Sequence, residues 1–71
     1  MSKVLEKFAE RLKELRAERD LTQKKLEEAS NIHRSSIANW EAKRNVPNLD
    51  DAAKLAKFFK VTLDYLAGLE D

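Results

Sequence analysis

Cysteine is absent from this chain of 71 residues, and glycine and proline occur only once each. Without cysteine the chain has no disulfide, no thiolate nucleophile and no cysteine-based zinc site, which fits a reducing compartment. So few glycines and prolines leave few positions for tight turns, which favours helices over a many-turned sheet. These shortages indicate a small all-α protein.

Long apolar runs are also missing. None approaches the roughly 18 residues that a membrane-spanning helix needs, and the N-terminus has no signal-peptide core. We therefore expect a cytoplasmic protein with no membrane partner, forming one domain over residues 1–71. One histidine, no cysteine and no glycine-rich phosphate loop predict no metal, no cofactor, no small-molecule substrate and no enzymatic activity.

The net charge of +1 conceals an uneven distribution of charge. Residues 1–47 hold 11 Lys or Arg and 8 Asp or Glu, a net +3, whereas residues 48–71 hold 3 and 5, a net −2. A basic first part suits a polyanionic partner such as nucleic acid. Helix surfaces vary this much by chance, so charge alone leaves both interpretations open.

An apolar stripe predicts a first helix over about residues 4–19. Leu5, Phe8, Leu12 and Leu15 recur at spacings of three and four residues, which is typical of one buried helix face. The remaining surface alternates in charge, so we expect a solvated scaffold helix. The stripe stops after two heptads, which argues against a coiled coil.

The stretch from Leu21 to Glu41 predicts two short helices joined by a tight turn. Thr22 suits an N-cap for a helix that ends near residue 30, and Asn31 suits a left-handed turn. His33 stands at the cap of the second helix, where it either reaches DNA or only fills the cap position. Two such helices form a helix-turn-helix if the second one exposes a polar face.

Rotation by about 100° per residue divides the second helix into two sides. Ile37, Trp40 and His33 fall on one side, while small polar residues lie opposite. In a major groove Arg pairs with guanine, Asn pairs with adenine, and a methyl group meets thymine. The residues predicted to contact bases are Arg34, Ser35, Ala38, Asn39 and His33.

A family resemblance extends well beyond this motif. The matching residues are Leu21-Thr22-Gln23, Leu26, Ile32, Arg34-Ser35-Ser36-Ile37, Trp40-Glu41, Pro47, Leu55-Ala56 and Val61-Thr62-Leu63-Asp64-Tyr65-Leu66. Through them residues 5–68 resemble, without a gap, the Cro/CI-type helix-turn-helix of the lambda-repressor-like (Xre) family of DNA-binding transcriptional regulators. The resemblance implies a compact five-helix, all-α domain, with the motif at about 22–41 and C-terminal helices at about 48–67.

The resemblance also implies roles for individual residues. Gln23 would contact a phosphate and brace the recognition helix, and Arg16 would pair with Glu41. Ile37 and Trp40 would be structural residues of the core. The residues expected to contact phosphates are Gln23, Thr22, Ser36, Lys43, Arg44 and Asn45.

Apolar residues near the end of the chain leave two interpretations open. They either belong to the core or form a dimer face, as this region often does in the family. The residues in question are Phe59, Leu63, Tyr65, Leu66 and Leu69.

The function implied by the resemblance is sequence-specific binding of double-stranded DNA by a homodimer. The protein would be a transcriptional regulator, in the first place a repressor, acting on a near-palindromic operator. The alternative is an antitoxin or a protein-interaction module with the same fold. The chain departs from the family pattern at Glu27, where Ala is usual, so we expect Glu27 to lean outward or find a cation.

Overall fold

The computed structural model describes residues 3–70, which fold into five helices. No strand occurs in this part of the chain, so the predicted five-helix, all-α architecture is confirmed. None of the helices between residues 3 and 70 is long and apolar enough to cross a membrane. In chain order the helices are α1 (Lys3–Glu18), α2 (Gln23–Ser30), α3 (Arg34–Glu41), α4 (Leu49–Phe59) and α5 (Leu63–Ala67).

Helices α2 to α5 each begin at a polar side chain that accepts a backbone N–H. Thr22, Asn48 and Thr62 accept the N–H three residues further on, at 3.0, 2.8 and 2.9 Å. His33 accepts the N–H two residues further on through Nδ1, at 3.1 Å. These bonds satisfy donors that the first helical turn leaves unpaired, so the four caps define where the helices start.

A left-handed residue follows the end of every helix. After α1, α3, α4 and α5 the left-handed residue donates its N–H to the carbonyl three positions back. The residue that follows it donates to the carbonyl five positions back, and the two bonds together form a Schellman motif. Only one of the five left-handed residues is glycine, so the other four adopt this conformation with a side chain attached. They are Asp20, Asn31, Lys43, Lys60 and Gly68, with φ of 53°, 62°, 64°, 58° and 80°.

One hydrophobic core lies between the helices. Phe8 of α1 packs edge-on against Trp40 of α3, with ring centroids 5.9 Å apart, so α1 packs against the buried side of α3. The buried residues of this core are Phe8, Leu12, Leu15, Leu26, Ile32, Ile37, Trp40, Leu55, Ala56, Phe59 and Leu66.

Arg11 of α1 and Arg19, which directly follows it, both bind backbone carbonyls of other helices. Arg11 donates to the carbonyl of Tyr65 at 2.8 Å, and its guanidinium lies 4.2 Å from the centre of the Tyr65 ring. Arg19 donates to the carbonyl of Phe59, at the end of α4, at 2.9 Å. The expectation of a merely solvated α1 surface is therefore wrong at both residues, because spacing within one helix does not show partners on another.

Candidate nucleic-acid interface

Helix α3 exposes a short polar face at the surface. Arg34 and Ser35 are exposed, and Ala38 and Asn39 are half-buried. Residues four apart share a helix face, so Arg34 lies in line with Ala38, and Ser35 lies in line with Asn39. The predicted base-contacting residues of α3 therefore form one surface, which presents guanidinium, hydroxyl, methyl and carboxamide groups.

His33 does not lie on the side of Ile37 and Trp40, as the helical rotation predicted. Its side chain is 75% exposed, whereas Ile37 and Trp40 are buried in the core. The reason is that His33 is the N-cap, with φ −58° and ψ 135°, so helical rotation does not apply to it. The structure shows His33 as the N-cap of α3, and its contact with DNA stays a prediction.

A carboxylate closes the N-terminal end of α3. Oε2 of Glu27 accepts the backbone N–H of Arg34 at 2.8 Å, and it lies 4.0 Å from Nδ1 of His33. A negative charge at this end of a helix is stabilising because the N–H groups there carry a partial positive charge. The expectation that Glu27 leans outward or pairs with a cation is therefore corrected, because its closest partner is a backbone N–H.

The C-terminal end of α3 is fastened by a buried carboxylate. Glu41 is only 8% exposed and accepts hydrogen bonds from Nε and Nη2 of Arg16, both at 2.7 Å. Nε2 of Gln23, the first residue of α2, donates to the same carboxylate at 3.0 Å. Arg16, Gln23 and Glu41 are called the Glu41 cluster below, and they join α1, α2 and α3 at one point.

The bond between Arg16 and Glu41 favours the charged form of the guanidinium still further. It raises the pKa of Arg16 above its already high ordinary value, while partial burial opposes the increase. Arg16 also donates to the carbonyl of Leu21 at 2.7 Å, so its side chain spans the end of α1 and the start of α2. The ion pair that the family resemblance implies is present, and Gln23 braces α3 through it.

The residues expected to contact phosphates divide into two places. Thr22 and Gln23 lie at the N-terminal end of α2. Gln23 bonds to Glu41, which places this end of α2 beside the C-terminal end of α3. Three exposed residues of the following loop continue from that end. Ser36 is separate, being half-buried in the first half of α3. The loop residues are Lys43, Arg44 and Asn45.

One contact of the interface could not be found by helical spacing. Nη1 of Arg44 donates to Oδ1 of Asn39 at 2.9 Å, which joins a loop residue to a residue of the α3 face. The two positions are five apart and lie across a helix end, where the rules for pairs within a helix do not apply. Only knowledge of the left-handed turn at Lys43 would have indicated this pair.

The apolar residues considered for a dimer face occupy different environments. Phe59 and Leu66 are 2% and 1% exposed, so they belong to the core and are removed from any such face. Tyr65 is half-buried beneath Arg11. Leu63 and Leu69 remain exposed, and Leu63 lines a shallow apolar groove together with Val4, Val46, Pro47 and Leu49.

Comparison with known families gives the class of protein that this geometry defines. A family model described as helix-turn-helix matches residues 12–66, which include α2, α3, α4, the C-terminal part of α1 and most of α5. The chain therefore belongs to the Cro/CI-type helix-turn-helix (Xre) family, as its resemblance predicted. This is a family of transcriptional regulators.

Three curated relatives align with 90% of the chain, over 64 residues each. The chain is 38% identical to the HTH-type transcriptional activator BcrR of Enterococcus faecalis and to the uncharacterized HTH-type transcriptional regulator YobD of Bacillus subtilis (strain 168). It is 36% identical to the HTH-type transcriptional regulator ImmR of Bacillus subtilis (strain 168). The matches span 31%, 57% and 50% of these relatives' own lengths. No solved structure matches the chain.

Proposed function

We propose that the protein binds double-stranded DNA sequence-specifically, with α3 as the recognition helix in the major groove. The observation that carries the proposal is that α3 is held rigidly against the rest of the protein. Ile37 and Trp40 are buried in the core, and the Glu41 cluster fixes the C-terminal end of the helix. A face of exposed and half-buried guanidinium, hydroxyl, methyl and carboxamide groups on a helix held rigidly suits the base edges of the major groove.

The groups at the C-terminal end of α3 would bind the DNA backbone. The Lys43 and Arg44 side chains supply positive charge there, while Thr22 and Gln23 lie at the N-terminal end of α2, where helix N–H groups favour a phosphate. Contacts of this kind contribute affinity and register but carry no sequence information. Asn45 and Ser36 would add neutral hydrogen bonds to the same backbone.

A homodimer on a near-palindromic operator is the second part of the proposal. The exposed groove beside Leu49 and Leu63 supports the homodimer, because removing apolar surface from water by covering it with a second chain is favourable. Two recognition helices related by a two-fold axis would read half-sites about 34–36 Å apart. A dimer bound over a promoter excludes other proteins from it, so we propose repression, while noting that one relative is named an activator.

In vitro selection from random duplex DNA at near-physiological salt tests this function. We expect enrichment of a two-fold symmetric sequence, and sedimentation of the complex should show two chains per site. A reporter gene carrying the selected site, measured with and without the protein, then gives the direction of regulation. Absence of any enriched sequence would contradict the proposal.

Two substitutions separate base reading from backbone binding. Arg34→Ala should cost about 1–3 kcal/mol on the selected site and relax one base position. Lys43→Ala should weaken binding to all sequences alike and lower the salt slope by about 1. Equal losses on selected and random DNA for Arg34→Ala would remove its base-reading role.

The exposed groove also supports a second candidate function, that of an antitoxin or protein-interaction module. Leu49 at its rim is 74% exposed, which would suit an apolar partner. A protein that co-purifies in fixed ratio and is released by Leu49→Ser would favour this function. Wild-type behaviour of Leu49→Ser in every purification would count against it.

A further inference from the structure

The turn after α3 brings a loop side chain onto the face of this helix. Because Lys43 is left-handed, the backbone N–H of Arg44 reaches the carbonyl of Asn39 at 3.0 Å. In a Schellman motif the side chains of these two positions commonly touch, usually through apolar groups. Here the contact is polar, since Nη1 of Arg44 donates to Oδ1 of Asn39 at 2.9 Å.

This bond fixes the direction of the Asn39 carboxamide. A guanidinium has donors and no acceptor, so it must face the carboxamide oxygen, and the NH2 group then points away from it. Asn39 is half-buried, which further restricts its side chain, whereas Arg44 is exposed. Asn39 therefore presents its NH2 group, while Arg44 occupies one of the two lone pairs of its oxygen.

The bases of the major groove respond differently to such a side chain. Adenine is read by both ends of a carboxamide, because N7 accepts from the NH2 group and the N6 amino group donates to the oxygen. Guanine offers two acceptors, N7 and O6, to the NH2 group alone. Pairing with adenine would require the Asn39 oxygen, already bonded to Arg44, to accept a second hydrogen bond, whereas guanine requires only the NH2 group, so Asn39 should favour guanine over adenine.

We propose that Arg44 determines base specificity by positioning Asn39, so that Asn39 recognises guanine through its NH2 group instead of adenine. The inference rests on the proposed DNA-binding function and replaces the expectation that Asn39 pairs with adenine while Arg44 binds phosphate alone. The remaining N–H groups of Arg44 stay available to a phosphate, so one side chain links base reading to the DNA backbone.

The test compares two variants that lose the same charge. Arg44→Met removes the donors that hold Asn39, and Lys43→Met removes the neighbouring cation, for which no hydrogen bond to Asn39 is found among the described side chains. The base pair read by Asn39 is first identified as the one whose preference disappears in Asn39→Ala. Binding is then measured on duplexes that differ only in having guanine or adenine there.

The wild type should prefer guanine, and Arg44→Met should shift the guanine-to-adenine ratio of affinities about fivefold or more towards adenine. Lys43→Met should weaken binding to both duplexes and leave the ratio unchanged. A wild-type preference for adenine, or an unchanged ratio in Arg44→Met, would overturn the inference. Failure of the wild type to select any sequence would instead refute the proposed function, and the inference with it.

Folding of the variants is checked by thermal melting. If Arg44→Met melts below the assay temperature, Arg44→Gln takes its place, because a carboxamide has an acceptor as well as a donor and so does not oblige the Asn39 oxygen to face it. The ratio should then move towards adenine, and Lys43→Gln is the control for the lost charge. An Arg44→Gln ratio equal to that of the wild type would overturn the inference.

Discussion

The two ends of α3 are fastened in different ways. At the C-terminal end, Glu41 is almost fully buried and accepts three N–H groups from Arg16 and Gln23. At the N-terminal end, Glu27 accepts one backbone N–H and His33 forms an exposed cap. A buried charge that lost its partners would be costly, whereas water can replace part of the bonding at an exposed cap, so its loss costs less.

This difference indicates a division of labour along the helix. The buried end fixes the position of α3 relative to α1 and α2, and hence the distance between the α3 face and the groups proposed to bind phosphate. The exposed end leaves Arg34 at the surface, where its side chain has room to adapt to the proposed base contact, while the Ser35 hydroxyl lies 2.7 Å from Nδ1 of His33. Substitutions at the two ends should therefore differ in size.

The largest effect is expected at the buried end. Glu41→Gln removes the charge that compensates Arg16 and should lower the free energy of unfolding by about 2–4 kcal/mol, measured by urea denaturation. Glu14→Gln, at an exposed position of α1, is the matched control and should change stability by less than about 0.5 kcal/mol. Similar losses in the two variants would mean that the Glu41 cluster does not fasten α3.

A smaller effect is expected at the exposed end. Glu27→Ala removes the acceptor of the Arg34 N–H and should cost about 1 kcal/mol, within the usual range for a lost cap. Glu28→Ala makes the same change at the next position of α2, which is exposed, and controls for helix propensity. A loss at Glu27 larger than that of Glu41→Gln would reverse the comparison between the ends.

The smallest effect concerns the left-handed turn that follows the buried end. Lys43 and Lys60 share this conformation, but Lys60 follows α4, so its backbone strain can be measured without disturbing α3. Lys60→Gly should raise the free energy of unfolding by about 0.5–1 kcal/mol, because glycine avoids the left-handed penalty. Lys54→Gly, inside α4, should lower it by about 1 kcal/mol. Destabilisation by Lys60→Gly would show that the turn is unstrained.

Local signals predicted the helices and the motif correctly. Thr22, Asn31 and the apolar spacing of α1 each act within a few residues, so sequence alone reveals them. Pairings between helices were not accessible in this way. Helical spacing alone does not indicate the Glu27–Arg34 bond or the Arg44–Asn39 bond, because each depends on how two segments meet in space.

The apolar residues considered for a dimer face show a second limit of what sequence alone can predict. Phe59 and Leu66 could not be separated from Leu63 and Leu69 by composition, since all four are large and apolar. Which of them is covered depends on how α4 and α5 pack against α1. The Arg16–Glu41 pair was accessible only through the family resemblance, since the two residues lie 25 positions apart.

The bond from Arg11 to the carbonyl of Tyr65 joins residues 54 positions apart in the chain. Contacts of such long range form late, because a long loop must close before they are gained. While the chain is being synthesised, Phe8 and Leu12 have been made long before Leu66, a member of the same core, leaves the ribosome. Trp40 can cover part of this surface earlier, but the core is complete only when α5 joins it, so folding should finish after α5 has been translated.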